Sequence, residues 1–224
     1  MGNFGDAFLN AEVLAKYAPS ILEGMGVTVA LSVLIVLAGT ALGLGLATLR
    51  ALSPLAVRAL VIGYADIFRA LPPLVLILIA YFGLPSVGVF LSSFLVLFAV
   101  LTLVLAAFAE EIFWAGIASV PKGQWEAARS TGLRRGATLI WIVLPQAVRL
   151  AIPPLTNRAI AVTKMTALGT VIGVSDILNQ ATTAQSFSGN ASPLLLAAVA
   201  YIAIFLPLVI LSRWLETRFA WRRV

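Results

Sequence analysis

Apolar and polar positions along this chain segregate into long blocks rather than alternating residue by residue. Five apolar blocks stand out: roughly Met25 to Leu49, Leu71 to Leu84, Val87 to Ala109, Leu150 to Val174, and Leu194 to Leu211. A helix rising 1.5 Å per residue needs about 20 residues to cross a hydrocarbon core of about 30 Å, so blocks of this size predict membrane-spanning helices. The second block is short. Its lead-in, Leu60 to Arg69, carries Asp66 and Arg69 and then meets Pro72-Pro73, which predicts a helix broken where it enters the bilayer. Punctuation agrees: Gly83 and Pro85 close the second block, Pro121 opens a central polar segment, and Ser192-Pro193 opens the last helix. Ahead of the first block, the spacing of Phe8, Val13, Leu14 and Tyr17 predicts a surface-lying amphipathic helix, with Met1 to Asn10 as its lead or as a disordered tail.

Composition turns these blocks into a class. The 224 residues are 61% hydrophobic and 11% charged, with a mean hydropathy of +1.05, too little charge to clothe a water-soluble domain. The expectation is an all-α membrane protein of about five transmembrane helices forming a single domain over residues 1–224. It has a short external segment over 1–23 and a cytoplasmic loop over about 110–149. Cysteine and histidine are both absent, which removes thiolate and imidazole metal sites and predicts no cofactor in this chain. The N-terminus lacks a basic n-region and small-residue cleavage site and is expected to be retained outside.

Basic residues set the orientation. With the C-terminus cytoplasmic, the inner loops collect Arg50, Arg58 and Arg69, then Lys122, Arg129, Arg134, Arg135 and Arg149, then Arg213, Arg218, Arg222 and Arg223. That is twelve of the fifteen Lys and Arg, with Arg158 and Lys164 inside the fourth span and Lys16 outside. The net charge of +6 is thereby a topology signal, and no nucleic-acid partner is implied.

The polar interruption "PKGQWEAARSTG" falls on the cytoplasmic side between the third and fourth spans. Pro121 suits a first turn, Glu126, Ala127 and Ala128 favour helix, and Gly132 is a natural stop, so a short helix is predicted. Ala127, Ala128 and Gly132 would give it a shallow face that another protein's backbone could approach. A solvated loop helix fits the same residues.

These residues resemble the EAA signature of ABC-importer permeases: EAA, three residues, Gly, nine residues, Ile, one residue, Leu-Pro. Glu126-Ala127-Ala128, Gly132, Ile142 and Leu144-Pro145 occupy those places. "VPKGQWEAA", "FRALPPLVL", "YFGLP" and "VIGV" are similar to the polar amino acid subfamily, so that the resemblance covers about Leu22 to the C-terminus. It implies a non-catalytic inner-membrane subunit that pairs with a second permease, identical or homologous, and receives a polar amino acid or small zwitterionic solute from an external binding protein. Its EAA helix would dock on a pair of cytoplasmic ATPases, with ATP and magnesium held there, and Glu126, Ala127, Ala128, Gly132 and Pro145 would carry the coupling. The chain contains no G-x-x-x-x-G-K-[ST] loop of its own, and Pro121, Gly132 and Gly136 are candidate joints.

Ionisable residues within or near spans are candidates for the solute pathway, since a charge at mid-bilayer costs about 2.5 to 3.5 kcal/mol on insertion scales and must face protein or water. Glu111, beside Glu110, reads either as pathway lining or as an interfacial position. Arg158 can line the pathway or snorkel toward headgroups. Lys164, between Thr163 and Thr166, is the strongest candidate: a buried ammonium with hydroxyl neighbours could hold an amino acid carboxylate, or pair with a neighbouring carboxylate. The resemblance implies Lys-Asp-Thr-Ser-Leu where this chain has Lys164-Met165-Thr166-Ala167-Leu168, and Arg where Trp114 stands. The missing carboxylate at 165 weighs against a basic amino acid, or makes this the non-binding half of a heterodimer. A secondary carrier would show two matching halves with broken helices, and none are visible. An enzyme would need an acid–base or nucleophile constellation that the chain lacks.

Overall fold

A computed structural model describes residues 7–219. The described chain is helical almost throughout: α1 (Ala11–Leu52), α2 (Leu55–Ala70), α3 (Pro73–Gly83) with a 3-10 turn (Leu84–Val87), α4 (Ser93–Ser119), α5 (Lys122–Ser130), α6 (Arg135–Thr138), a π-turn (Leu139–Val143), α7 (Leu144–Lys164) with a 3-10 extension (Met165–Ile172), α8 (Ile177–Ser188) and α9 (Ser192–Phe219). Among the described residues, four segments are long and apolar enough to cross a membrane, Ala11–Leu52, Ser93–Ser119, Arg135–Ile172 and Ser192–Arg218. A fifth arises if α2 and Pro73–Val87 count as one broken span.

The break in that pair lies where the prolines predicted it. A residue before proline is pushed out of the helical region, and Leu71, at φ −85 and ψ 136, closes α2 with its N–H on the Ile67 carbonyl at 3.2 Å. At the N-terminus the structure corrects the expectation of a separate surface helix. Val13, Leu14 and Tyr17 lie in α1, which runs on through Pro19 into the first span. Proline removes one intrahelical donor, which does not divide a helix held by packing on either side. Met1 to Asp6, part of the predicted tail, and Arg222 and Arg223, part of the basic C-terminal group, lie outside the described residues.

Contacts group the chain into two compact units. One contains described residues up to Ile35, Pro73–Leu101 and Val162–Val209. Its centre is Ile21 with Ile177, Ala181, Ala197 and Ala200, all buried. Asp176 caps α8, accepting the Asn179 N–H at 2.8 Å and the Thr170 hydroxyl at 2.9 Å, while Thr28 of α1 accepts the Ile177 N–H at 3.3 Å.

The second unit takes in Val36–Pro72, Thr102–Ala161 and described residues from Ile210. Its core joins Ala47 and Ala51 of α1, Ala109, Phe113 and Ile117 of α4, and Leu139, Val143, Ala147 and Ala151 of the π-turn and α7. Gly39 and Gly43 lie one turn apart on α1. A Cβ placed on Gly43 would come within 2.5 Å of Ala109 Cβ and 2.9 Å of the Ala106 carbonyl, so the two backbones meet with no side chain between them. Small residues at such a seam let helices approach closely, which is how helices associate where lipid removes the hydrophobic drive.

Candidate functional site

The helix predicted from the EAA segment is present as α5, nine residues long. Pro121 stands just before it, at the N-cap. Its end is closed by two backbone hydrogen bonds, Gly132 N–H to the Arg129 carbonyl at 3.0 Å and Leu133 N–H to the Ala128 carbonyl at 3.4 Å. This paired pattern, with Gly132 at φ +89, is a Schellman cap, and a side chain at that φ would be strained. The orientation of α5 corrects one expectation. Ala128 is buried, and Trp125 packs against the core of the second unit. Residues three apart share one helix face, so this pair faces inward and Ala128 is unavailable as docking surface. Glu126, Ala127 and Gly132 are exposed, as is Pro145 near the start of α7.

The second half of α4 carries a cluster of charge. Arg50 and Glu110, 8% and 0% exposed, pair with Nη1 at 3.0 and 3.2 Å from the two carboxylate oxygens. Glu111 accepts from Arg69 at 3.0 Å and lies 3.6 Å from Arg50. Arg50 and Arg58 both lie over the Trp114 ring, at 4.3 and 5.0 Å from its centroid. Trp114 replaces the arginine that the resemblance implies, and here an arginine would add a third guanidinium to two already present. Arg158 sits 3.9 Å over Phe108, which gives its charge an aromatic face.

Lys164 lies in the first unit, and the structure separates it from its sequence neighbours. Thr163 and Thr166 are buried, the Thr166 hydroxyl donating to the Thr163 carbonyl at 2.8 Å. Lys164 itself is exposed, so the expected buried ammonium among hydroxyls is not formed. Consecutive helical positions face different directions, and here the threonines take the packed side. Lys164 instead borders a cavity of about 470 Å³ with Ala167, Tyr201, Ile202, Phe205, Leu206 and Val209, its Nζ 5.7 Å from the Phe205 centroid.

The second unit has its own groove of about 980 Å³ between α4, α5 and α7, with Glu111, Ser119, Gln124, Gln146 and Arg149 among its lining residues. Glu111 and Lys164 thus each border a cavity, while Arg158 is engaged with Phe108. Two features escaped the sequence. Arg50 reads as one more loop cation and Glu110 as the twin of Glu111. The available signal was a Glu-Glu pair at the end of an apolar run, opposite an arginine ending another. Gly39-Thr40-Ala41-Leu42-Gly43 is a visible small-residue repeat whose partner only the fold reveals.

Residues 39–221 match the family model described as binding-protein-dependent transport system inner membrane component. A probable glutamine ABC transporter permease of Bacillus subtilis (strain 168), GlnM, is 31% identical over 94% of this chain and 98% of its own. The arginine transport system permease ArtQ of the same organism is 32% identical over 89% and 92%. A solved amino acid ABC transporter with histidines superposes with a TM-score of 0.83 at 31% identity, covering 92% of this chain and 96% of that one. The inward-facing methionine transporter MetNI shares the fold, with a TM-score of 0.74 at 19% identity over 90% and 96%. The chain belongs to the family of binding-protein-dependent transport system inner membrane components.

Proposed function

We propose that this chain is the membrane-spanning permease subunit of an ATP-driven importer. It works with a second permease, a pair of cytoplasmic ATP-binding subunits and an external solute-binding protein, and carries a polar amino acid or related small zwitterionic solute. The clustering of Lys and Arg supports an outside N-terminus and a cytoplasmic C-terminus. One observation carries the coupling assignment: α5 is pinned inward by Trp125 and Ala128, closed by the Gly132 cap, and presents Glu126 and Ala127 outward. A helix fixed on one side and bare on the other can transmit the movement of a docked partner to the spans that flank it. The coupling surface is thus Glu126, Ala127 and the Gly132 turn, with Pro145 nearby and Ala128 supporting from beneath.

The test uses Ala127→Trp and Gly132→Asp in the assembled transporter. Both variants insert and co-purify with the second permease, but uptake and solute-stimulated ATP hydrolysis fall to background. Retention of both activities would remove the docking role from α5.

For the solute, Lys164 supplies a cation at the rim of an otherwise largely apolar cavity, which suits a carboxylate whose remaining atoms contact Phe205 and Leu206. Met165 brings no carboxylate to the next position, which favours a neutral zwitterion over a basic amino acid. Glu111 lines the groove of the second unit and supplies a carboxylate to the pathway there. Lys164→Ala, assayed by uptake competition among acidic, basic, neutral and zwitterionic solutes, should raise the half-saturating concentration for the preferred solute. Unaltered uptake of every solute would transfer selectivity to the binding protein.

A further inference from the structure

We infer that the corner where α1 ends and α2 begins, together with α6 and the π-turn, is a binding site for the headgroup of an anionic phospholipid. The pieces come from separate parts of the sequence and all lie in the second unit. Arg135 Nη2 donates to the Ala51 carbonyl at 3.0 Å, which ties the start of α6 to the end of α1. Leu139, just after α6, is buried in the same core as Ala47 and Ala51 and reinforces that tie. Arg50 and Arg58 both lie over the Trp114 ring, which ties the first turn of α2 to the same corner.

Three exposed arginines belong to the segments that meet there: Arg58 on α2, Arg134 just before α6, and Arg135 at its start. None makes an ion pair among the described residues, whereas Arg50 and Arg69 are matched by Glu110, Glu111 and Asp66. Guanidiniums without carboxylate partners on joined segments favour an anion that can take more than one donor, which a phosphodiester does through bidentate hydrogen bonds.

The occupant is a lipid rather than free phosphate because of what flanks the arginines. Leu55 is 81% exposed and Trp141 72%, and Leu52 and Ile140 are exposed beside them. In the π-turn, Leu139 and Val143 are buried while Ile140 and Trp141 face away from the core. Apolar side chains and an indole next to cations match the boundary between headgroups and acyl chains, where tryptophan concentrates. Free phosphate would use the arginines and leave that surface in water.

Native mass spectrometry of the full chain, with phosphatidylglycerol and phosphatidylcholine titrated separately, tests the site. Wild type should hold phosphatidylglycerol about tenfold or more tightly than phosphatidylcholine, and Arg58→Gln and Arg134→Gln should each weaken the anionic lipid about fivefold, as expected for one basic contact near a membrane surface. Trp141→Ala should weaken both lipids, and Arg213→Gln, an exposed arginine on α9, should weaken neither selectively. Arg135→Gln is avoided because it also breaks the bond to Ala51. Equal affinity for the two lipids would overturn the site, and so would indifference to Arg58→Gln and Arg134→Gln. Displacement of phosphatidylglycerol by millimolar inorganic phosphate, unaffected by Trp141→Ala, would assign the arginines to the free ion instead.

Discussion

Removing Arg50 should damage this protein more than removing its partner Glu110, and the geometry says why. Glu110 is fully buried, and Arg50 supplies both hydrogen bonds to its carboxylate. Arg50→Met strands that carboxylate, and leaving one member of a buried pair uncompensated costs about 3–5 kcal/mol. It also removes the guanidinium from the Trp114 face, a contact worth about 0.5–2 kcal/mol. Glu110→Gln leaves Arg50 with two substitutes, Glu111 at 3.6 Å and the Trp114 ring, and keeps an amide in place of the carboxylate. Its cost should stay near 1–3 kcal/mol, the range for a buried polar group that has lost a partner. The double replacement Arg50→Met with Glu110→Leu removes both charges and should be less harmful than Arg50→Met alone, because an apolar pair of similar volume often matches a buried ion pair. Unfolding of the detergent-solubilised chain, followed by tryptophan fluorescence, measures all three, and Glu110→Leu alone closes the double-mutant cycle with Arg50→Met. The reasoning fails if Glu110→Gln proves as damaging as Arg50→Met, or if the coupling energy falls below about 0.5 kcal/mol.

Other substitutions probe other parts of the structure. Gly132→Asn should retain more uptake than Gly132→Ala, because asparagine tolerates a left-handed φ that costs alanine about 1–2 kcal/mol; transport assays giving the reverse order would discount the cap. Gly43→Val should block the α1–α4 approach at Ala106 and Ala109 and lower both the yield and the melting temperature of purified protein, whereas Gly45→Val, with open space around it, should change neither. Burial raises the Asp176 carboxyl above its ordinary range, against the opposing hydrogen bonds from Asn179 and Thr170. A folded-state value above the unfolded one means stability declines as pH rises from about 3.9 to the raised value and is level beyond it. Asp176→Asn keeps an effective N-cap and removes that decline, so its advantage in melting temperature should grow from pH 4 upward and then level off. Parallel melting curves across that range would refute the assignment.

Much of the fold was legible because the bilayer imposes a coarse rule: each crossing needs an apolar block, and prolines show where a block breaks. Pro72-Pro73 announced the break before α3, and Gly132 announced the end of α5 together with its left-handed backbone. What the sequence hid is which side of a helix meets what. Ala127 and Ala128 look alike in a string, yet one is exposed and the other packs inward beside Trp125. Thr163, Lys164 and Thr166 look like one polar site, yet the helix turns the threonines inward and the lysine out. Glu110 and Glu111 are neighbours of one type, and only the arrival of Arg50 from α1 and Arg69 from α2 gives them separate partners. Such distinctions depend on pairings between distant segments, which no local pattern encodes.

The break at Leu71 and Pro72 also bears on how the chain enters a membrane during synthesis. Pro72 and Pro73 have no N–H to return to the carbonyls of Phe68 and Arg69, and lipid offers those carbonyls no donor. The 15 residues Pro73–Val87 would reach only about 23 Å as a regular helix, less than the hydrocarbon thickness. As a lone nascent segment this piece is a poor passenger for lateral release into lipid. Its stable placement follows the arrival of later segments, the 3-10 extension Met165–Ile172 that meets Pro73–Gly83 among them, so that the second span becomes a late product of assembly although it is among the first to be translated.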